Sequence, residues 1–433
     1  MLNKSYTAIT HLFINQSAGK CVHHSLLCKR SSKLKKNVIR YSSGVPSCFE
    51  VKKHLLKKLQ TSSTVGISIN YQRYASRLAY YEFGEPAKVI KHEHFDDPIV
   101  EQTESDTVIV RMLAAPINPA HINTIQGIYP IRPKEFPAIG GTEGIGKVIK
   151  VGGNVKRLKI GDLVYPKLMP DGNGVWSTHI KTNASNFDKV TLKTQLEFDK
   201  VSVKADDSSH MIMGLSVLRI NPGTALRILT DFVPDMKKGD IVIQNGANSA
   251  VGQAVIQIAK DMGLRTVNIV RDREDIDKLK EYLKSIGANY VWTESELRSA
   301  KEFHNKTLPK ARLALNCVGG TSSAEISKCL EHRGTHVTYG GMSLKPVLAS
   351  TSSLIFKDII YRGFWFSKWI EEHTDAPELK DMYNYLESMF LAGKISLPKH
   401  KLVSIFDENE CLNALKDSLN GKVGEKIILD MME

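Results

Sequence analysis

The chain has 433 residues, of which 42% are hydrophobic and 24% are charged, a balance expected of a soluble globular protein with two domains. It contains no apolar run of about eighteen residues, the length a membrane helix needs, so the sequence predicts no membrane span. Its formal net charge of +13 would suggest nucleic-acid binding if the charge were spread over the whole chain, but it is not.

The basic charge is concentrated at the N-terminus. Residues 1–73 hold 13 Lys or Arg and one acid, Glu50, whereas the rest of the chain has 46 basic and 45 acidic residues. The segment 51–59 places its apolar residues on one helical face. We predict that residues 1–73 are a disordered mitochondrial transit peptide, which implies a location in the matrix and no nucleic-acid partner. A basic tail that binds nucleic acid or a membrane surface is the alternative interpretation.

Cysteine usage indicates a reducing compartment. Beyond the leader the chain has only Cys317, Cys329 and Cys411, and no Cys-x-x-Cys pair occurs anywhere. Neither a disulfide framework nor a thiolate zinc site is therefore expected.

Residues 77–240 consist mostly of short strand-like runs separated by Gly and Pro. Strands are predicted at Asp106–Leu113, within Gly144–Val155, and from Leu163 to Tyr165. Many short strands of this kind favour a partly open β-barrel. The stretch 192–210 is polar and unpatterned, and we expect a surface loop there.

From residue 240 onward, strands and helices alternate. The predicted strands are Ile241–Ile243, Arg265–Val270, Tyr290–Trp292, Leu313–Asn316 and His336–Tyr339. The predicted helices are Ser249–Met262, Asp275–Ile286, Ser322–Glu331 and Glu378–Leu391. Such alternation predicts an α/β fold with a doubly wound parallel sheet, after which the chain returns to the first domain.

The first of these strands leads into a loop of small residues, Gln244 to Gly252, in which a helix begins. A strand that turns into a helix through small residues brings backbone N–H groups and the helix N-terminus close to a pyrophosphate. The usual G-x-G-x-x-G pattern is absent, because Ala250 stands where a glycine is common. A plain tight turn explains the loop about equally well.

The end of the second strand indicates which dinucleotide is bound. Arg271 and Arg273 follow Val270, at the distance from the loop where an acid would mark NAD. Guanidinium groups there can hold a 2′-phosphate through charge-assisted hydrogen bonds, so NADPH is the expected cofactor. A solvated charge cluster at a strand end is the alternative.

Several motifs at compatible spacing resemble those of mitochondrial 2-enoyl thioester reductases, zinc-free members of the medium-chain dehydrogenase/reductase superfamily. They are Ala114–Asn123, Gln126–Pro130, Gln244–Ala254, Val270–Arg273, Arg312–Gly320, Tyr339–Met342 and Phe364–Ser367. The resemblance extends from about residue 79 to the C-terminus.

The resemblance implies a fold and an activity. The expected fold is a GroES-like partly open β-barrel catalytic domain (74–225 and 376–433) and a Rossmann NADPH-binding domain (226–375). The implied activity is reduction of trans-2-enoyl groups on acyl carrier protein or coenzyme A, in mitochondrial fatty acid synthesis. The family's usual state is a homodimer.

The resemblance also assigns site residues by position. Tyr129 matches the catalytic tyrosine; a free phenol is protonated at neutral pH, so it can donate a proton or stabilise a developing enolate. The residues that match cofactor-binding positions are Asn221, Asn248, Ser249, Ala250, Val251, Arg271, Asp272, Arg273, Tyr339, Gly340, Gly341, Met342, Phe364, Trp365, Phe366, Ser367 and Lys426.

The sequence departs from the family pattern at three places. Ala120-His121 replaces the usual Ser-Asp, Ala250 replaces a glycine, and the polar stretch 192–210 is longer than usual. No metal is expected, because Gly140–Gly144 lacks the histidine that zinc-dependent relatives carry, and Glu143 is expected to accept backbone hydrogen bonds instead.

An apolar acyl pocket is expected near several aromatic residues, although ordinary core packing is equally compatible with each of them. They are Trp176, Phe364, Trp365, Phe366 and Trp369. Two rival functions stay open at this point: an NADPH quinone oxidoreductase, which needs no dedicated proton donor, and a cofactor-binding protein without turnover.

Overall fold

The protein is described here from a computed structural model. It covers residues 74–96, 103–167, 174–201, 205–303, 305, 307–419 and 425–432, with the backbone alone at 8–11, 25–30 and 33–38. The chain divides into two units, Met1–Gln72 and Arg73–Glu433. In the first unit an antiparallel sheet contains β1 (Ala8–His11), β2 (Ser25–Arg30) and β3 (Lys33–Val38). The predicted amphipathic segment 51–59 lies outside the described residues.

The second unit begins with a mostly antiparallel β structure. Its strands are β4 (Tyr74–Tyr80), β5 (Ile90–Asp96), β6 (Thr107–Pro116), β7 (Ala138–Ile139), β8 (Ile145–Val151), β9 (Leu163–Pro166), β10 (His179–Asn183) and β11 (Phe187–Lys189). Strand β6 pairs with both β8 and β10. It is buried along nearly its whole length because structure covers both of its faces.

The prediction that the chain returns to this domain is confirmed. The last two strands are β18 (His400–Ser404) and β19 (Lys426–Asp430), which pair with each other in parallel. Strand β19 then pairs antiparallel with the C-terminal end of β6. The final residues of the chain therefore lie beside Pro116 and the segment that follows it.

Five helices lie among and after the barrel strands: α1 (Pro86–Val89), α2 (Pro119–Ile125), α3 (Leu192–Val201), α4 (Ala205–Ser216) and α5 (Asn221–Thr230). The prediction of a surface loop over 192–210 is therefore wrong. Thr194 on α3 is fully buried, and its hydroxyl donates to the carboxylate of Glu387. Gln195 beside it accepts a hydrogen bond from the Leu163 N–H at 2.8 Å.

The alternating region forms a parallel sheet, as predicted, with a sixth strand, β17, beyond the five expected; the strand order is β14-β13-β12-β15-β16-β17. The strands are β12 (Ile241–Gln244), β13 (Arg265–Val270), β14 (Tyr290–Thr293), β15 (Ala311–Asn316), β16 (Leu330–Thr338) and β17 (Ile360–Gly363). Successive residues of β12 belong to two separate hydrophobic cores, Val242 to one and Ile241 and Ile243 to the other. Both faces of the sheet are therefore covered.

The remaining helices are α6 (Ala250–Asp261), α7 (Ile276–Ser285), α8 (Glu294–Ser299), α9 (Gly320–Lys328), α10 (Thr351–Lys357), α11 (Phe366–Glu372), α12 (Pro377–Leu391) and α13 (Glu408–Leu419). The helix predicted over Ser322–Glu331 starts earlier than expected, at Gly320. It also ends earlier, because β16 already begins at Leu330. The domain boundary expected after residue 225 falls inside α5, so the two β structures are joined through a continuous helix. Among the described residues, no helix combines the length and apolarity needed to cross a membrane.

Candidate active site

The loop between β12 and α6 has the geometry of an anion-binding turn. Ser249 is the N-cap of α6, and its hydroxyl accepts a hydrogen bond from the Gly252 N–H at 3.1 Å. A Cβ atom at Gly252 would lie 2.6 Å from the carbonyl oxygen of Ala247, so only glycine lets the helix approach the strand this closely. The predicted residues Asn248 and Val251 lie in the same turn, where the helix N-terminus favours a phosphate.

The ends of β12, β15 and β16 are joined by two buried asparagines that the sequence analysis missed. Asn245 Nδ2 donates to Asn316 Oδ1 at 2.8 Å, and Asn245 Oδ1 accepts from the Cys317 N–H at 2.8 Å. The predicted segment that begins at Tyr339 is attached to this pair, since the Tyr339 N–H donates to the Asn316 carbonyl at 3.0 Å. The Met342 N–H in turn donates to the Cys317 carbonyl at 2.8 Å.

Tyr339 supplies a test of whether a polar ligand fits here. Its hydroxyl is buried and finds no hydrogen-bond partner of good geometry among the described residues, although Ser249 and Cys317 lie beside it. Burial raises the pKa of this phenol well above its usual value, so it is a neutral donor. A buried neutral donor beside a helix N-terminus is compatible with a phosphate-bearing cofactor.

The arginines at the end of β13 are available for a ligand, whereas the acid between them is not. Asp272 accepts a hydrogen bond from the Ser295 hydroxyl at 3.1 Å, and its pKa is lowered mainly by a hydrogen bond from Thr293. Within the described part of the chain, Arg271 and Arg273 form no hydrogen bond or ion pair. Both guanidinium groups are therefore free to bind a phosphate, and the predicted site residue Asp272 is instead hydrogen-bonded to Ser295.

Tyr129 lies at the carboxyl edge of the parallel sheet. It follows α2 in a tight loop, where the N–H groups of Ile128 and Tyr129 both donate to the Asn123 carbonyl, at 3.0 and 3.2 Å. The Trp365 Nε1–H donates to Tyr129 Oη at 2.9 Å, and the two rings meet edge to face. Trp365 lies two residues after the end of β17, so a barrel residue and a Rossmann residue meet where α/β proteins bind their ligands.

Two predicted site residues, Asn221 and Lys426, are brought together by a third that was missed. Asn118 Oδ1 accepts hydrogen bonds from Asn221 Nδ2, at 3.3 Å, and from Lys426 Nζ. Asn118 Nδ2 donates to Glu143 Oε2 at 2.8 Å. The position of Asn118, at the start of α2 and inside the Ala114–Asn123 motif, was the available signal for its role.

Comparisons with known proteins find matches to both domains of the chain. The model of the alcohol dehydrogenase GroES-like domain matches residues 104–191, and that of the zinc-binding dehydrogenases matches residues 250–382. Mitochondrial enoyl-[acyl-carrier-protein] reductase of Rattus norvegicus is 43% identical over 82% of this chain and 88% of its own length. The Homo sapiens protein of that name is also 43% identical, with the same coverage.

The chain belongs to the mitochondrial enoyl-[acyl-carrier-protein] reductase family. Among solved structures, the Etr1p/NADP/crotonyl-CoA complex matches with a TM-score of 0.72 and 32% identity, over 83% of this chain and all of that one. A quinone reductase from Bacillus thuringiensis matches with a TM-score of 0.66 at 23% identity, over 83% of this chain and 99% of its own; this likeness concerns the fold alone.

Some aromatic residues near the reductase site face the cleft, and others are packed in the core. Trp365 is 40% exposed and faces Tyr129, but Phe366 is buried against Gly223 of α5. Phe364 packs edge to face on Phe232. Within this segment Trp365 is therefore the aromatic residue that contacts Tyr129.

Trp176 does not line an acyl pocket. It is fully buried, its indole N–H donates to the Pro116 carbonyl at 3.2 Å, and its ring packs on Gly140 and Gly141. A Cβ atom at Gly140 would lie 2.2 Å from this ring, which explains the paired glycines of the Gly140–Gly144 motif. The pocket interpretation of Trp176 is wrong, and the core interpretation is confirmed.

Glu143 also has a structural explanation. Its Oε1 accepts the Ile220 N–H at 2.8 Å, as expected for a carboxylate that satisfies backbone donors. Among the described residues, no group of three or more His, Cys, Asp or Glu side chains is arranged to hold a metal ion.

At Ala120-His121, where the sequence departs from the pattern implied by the resemblance, His121 supplies a hydrogen-bond acceptor. His121 Nδ1 accepts the Asn118 N–H at 3.2 Å, which is the role a carboxylate plays in a capping box. Its Nε2 lies 3.0 Å from the Thr142 hydroxyl and 3.2 Å from the Thr142 backbone nitrogen. Burial, reinforced by the charge of Lys426, lowers the pKa of His121 to about 3, so the ring stays neutral and keeps its acceptor.

This histidine should make the folded protein sensitive to acid. The unfolded chain gains a proton at His121 as the pH falls below 6.5, whereas the folded chain does so only near 3. The contribution of His121 to the free energy of unfolding is therefore fully present above pH 6.5, and it is lost progressively as the pH falls toward 3. We expect the His121→Asn variant to lose about 2 kcal/mol less unfolding free energy than the parent protein between pH 7 and pH 5.

Chemical denaturation at a series of pH values measures this difference. The exposed His332 on β16 provides the matched control, because its replacement by Asn should leave the pH dependence unchanged. Equal pH dependence in the His121→Asn variant and the parent would contradict the buried, neutral state of this ring.

Proposed function

We propose that the protein reduces trans-2-enoyl thioesters with NADPH and that Tyr129 is its catalytic residue. The observation that carries the proposal is the position of Tyr129 Oη, held by the Trp365 indole at the carboxyl edge of the parallel sheet. A tyrosine remote from this edge could not serve a reaction at the nicotinamide. The name shared by relatives at 43% identity supports enoyl thioester reduction in mitochondria.

NADPH would be held by three parts of the Rossmann domain. The turn from Asn248 to Val251 would bind the pyrophosphate, and Arg271 and Arg273 the 2′-phosphate. The segment Tyr339–Met342 would line the nicotinamide end, together with Asn221 and Lys426 from outside the sheet. Bound NADPH supplies the hydride that adds to Cβ of the enoyl thioester.

Tyr129 acts on the charge that this addition creates at the substrate. As negative charge grows on the thioester oxygen, the Tyr129 hydroxyl donates a hydrogen bond to it or a proton to Cα. The Trp365 N–H occupies one lone pair of Tyr129 Oη, which fixes the phenol and stabilises it when its own proton is shared. Trp365 is thus a positioning residue for Tyr129.

The substrate's carrier and the assembly of the enzyme are further parts of the proposal. Acyl carrier protein and coenzyme A both present the enoyl group on a thioester, and both are proposed as carriers. The enzyme is proposed to be a homodimer, joined through the edge strand β17 and helix α10. Phe356 and Ile355 on α10 are 77% and 66% exposed, and Ile360 on β17 is also exposed. An apolar edge of this kind favours a subunit interface.

Replacement of Tyr129 by Phe removes the proposed donor and keeps the ring. We expect kcat with crotonyl-coenzyme A to fall roughly a hundredfold or more, as for the loss of a general acid, while the KM for NADPH changes little. The measurement is NADPH consumption with the protein lacking residues 1–73. Full activity in the variant, or turnover of a quinone but not of crotonyl-coenzyme A, would overturn the assignment.

The double variant Arg271→Ala with Arg273→Ala tests the preference for NADPH. Because both guanidinium groups are assigned to the 2′-phosphate, we expect the KM for NADPH to rise at least roughly tenfold and that for NADH to stay nearly constant. Steady-state kinetics with the two cofactors measure the change. Equal effects on both would refute the phosphate role.

The dimer interface is tested by placing a charge in the apolar edge. We expect the Phe356→Asp variant to sediment with the mass of one chain, since a buried unpaired carboxylate is costly. Leu402→Asp, at an exposed leucine on β18, is the matched control and should leave the dimer intact. A Phe356→Asp variant that stays dimeric would place the interface elsewhere.

A further inference from the structure

Glu143 is a buried carboxylate that the proposed reaction does not use. It is only 4% exposed, and each of its oxygens has a defined donor. Oε1 accepts the Ile220 N–H, and Oε2 accepts Nδ2–H of Asn118, both at 2.8 Å. A buried carboxylate costs stability unless it is fully paired, so these partners must be kept in place.

The donors around Glu143 determine how the Asn118 amide is oriented. Burial raises the pKa of Glu143, and the charge of Lys426 opposes this shift. In its ionised form the carboxylate only accepts hydrogen bonds, so the NH2 group of Asn118 then faces Glu143 and its carbonyl oxygen faces the opposite side. On that side lie two donors, Lys426 Nζ and Asn221 Nδ2. The reverse orientation would place the Asn118 NH2 group against an ammonium group and against a second NH2 group.

The orientation of the Asn118 amide also determines the orientation of the Asn221 amide. Because its NH2 group donates to Asn118, its own carbonyl oxygen is turned away, and no donor among the described residues reaches that oxygen. Lys426 is fixed similarly, since Nζ donates to the Ile117 carbonyl at 3.3 Å as well as to Asn118. Both side chains are thereby held in one orientation before any ligand binds.

We propose that Glu143 is a positioning residue for the nicotinamide cofactor, which orients Asn221 and Lys426 by fixing the amide of Asn118. The inference rests on the proposed function, because it takes Asn221 and Lys426 as contacts of NADPH. Glu143 itself touches neither cofactor nor substrate. Its effect is to determine which atoms the two contact residues present.

A four-variant comparison tests this proposal through the direction of the hydrogen bonds. In Glu143→Gln, one carboxylate oxygen becomes an NH2 group, which opposes either the Asn118 NH2 group or the Ile220 N–H, so one of the two hydrogen bonds is lost. In Asn118→Asp, two carboxylates face each other. In the double variant, the amide introduced at position 143 would donate to the carboxylate introduced at position 118, which could still accept from Lys426 and Asn221. Glu387→Gln, at a carboxylate that is also 4% exposed but lies on α12, is the matched control.

The readout is the dissociation constant of NADPH, measured by fluorescence titration of the protein without substrate. Each single variant at Glu143 or Asn118 should weaken binding roughly ten- to a hundredfold, the effect of misplacing hydrogen bonds to a charged group. The double variant should recover to within about threefold of the parent protein, and Glu387→Gln should bind normally. If Glu143→Gln does not fold, Asn118→Asp and the double variant still provide the comparison.

The pH dependence of binding is an independent readout. Burial lowers the pKa of Lys426 to about 8, and the negative charge of Glu143 opposes this shift. His121 is the other titratable group that interacts with Lys426. His121 stays neutral near pH 7, so it does not change the charge around Lys426 in this range. Removal of the negative charge of Glu143 should therefore make Lys426 lose its proton at a lower pH. NADPH binding by Glu143→Gln should therefore begin to weaken at a lower pH than binding by the parent protein.

Two results would overturn the proposal: normal NADPH binding by Glu143→Gln, or a double variant that binds no better than its single parents. A failure of the proposed function would be distinct from either. In that case the unmodified protein would bind NADPH and yet reduce no crotonyl-coenzyme A, while the binding comparison would still decide the role of Glu143.

Discussion

The side-chain amide of Asn118 joins four segments of the chain that are far apart in sequence. It connects the start of α2 with Glu143 in the barrel, Asn221 on α5 and Lys426 on β19. A buried amide is stable only when both of its ends have partners, so the segments must meet in one arrangement. Strand β19 reaches this point because it pairs with the end of β6, where the Ile117 N–H donates to the Ile427 carbonyl at 3.0 Å.

A second interaction holds the connection between the two domains in place. The Arg219 guanidinium lies 3.5 Å from the ring centroid of Tyr383 and 4.8 Å from that of Tyr165, and it forms an ion pair with Asp188 at 3.1 Å. Cation–π contacts of this kind are strengthened when water is excluded. Because Arg219 directly precedes Ile220 and Asn221, this arrangement positions the residues that meet Glu143 and Asn118 and reduces the freedom of α5 at its first turn.

The strands and helices of the Rossmann domain were predictable because hydrophobic periodicity there matches burial. Helix α3 shows where this signal fails. Leu192 and Leu196 are 70% and 50% exposed, whereas Thr194 is fully buried and Gln195 nearly so. The polar pair is buried because it has specific partners in Glu387 and the Leu163 N–H, which lie far away in the chain. A pattern rule that expects apolar residues inside cannot detect a helix whose buried face is partly polar.

The residues of the candidate site also divide into those that local sequence patterns predict and those that they do not. The turn at Asn248 and the arginines after β13 follow from local rules that relate strand ends and helix N-termini to phosphate binding. Tyr129 and Lys426 were found only through the resemblance to a family, since a lone tyrosine or lysine carries no local signal. The roles of Asn118, Glu143, Asn245 and Asn316 in joining the site were missed, because they lie in contacts with residues that are distant in sequence.

His121 shows that the atom at a position can matter more than the residue type. The pattern implied by the resemblance has an acid where this chain has a histidine, and the neutral ring accepts the Asn118 N–H. The exchange nevertheless alters the electrostatics of the site. An aspartate here would add a second negative charge near Lys426, whereas a neutral imidazole leaves Glu143 as the carboxylate that opposes the desolvation of that lysine. The charge of Lys426 in this chain therefore depends on Glu143 more strongly than it would with an acid at position 121.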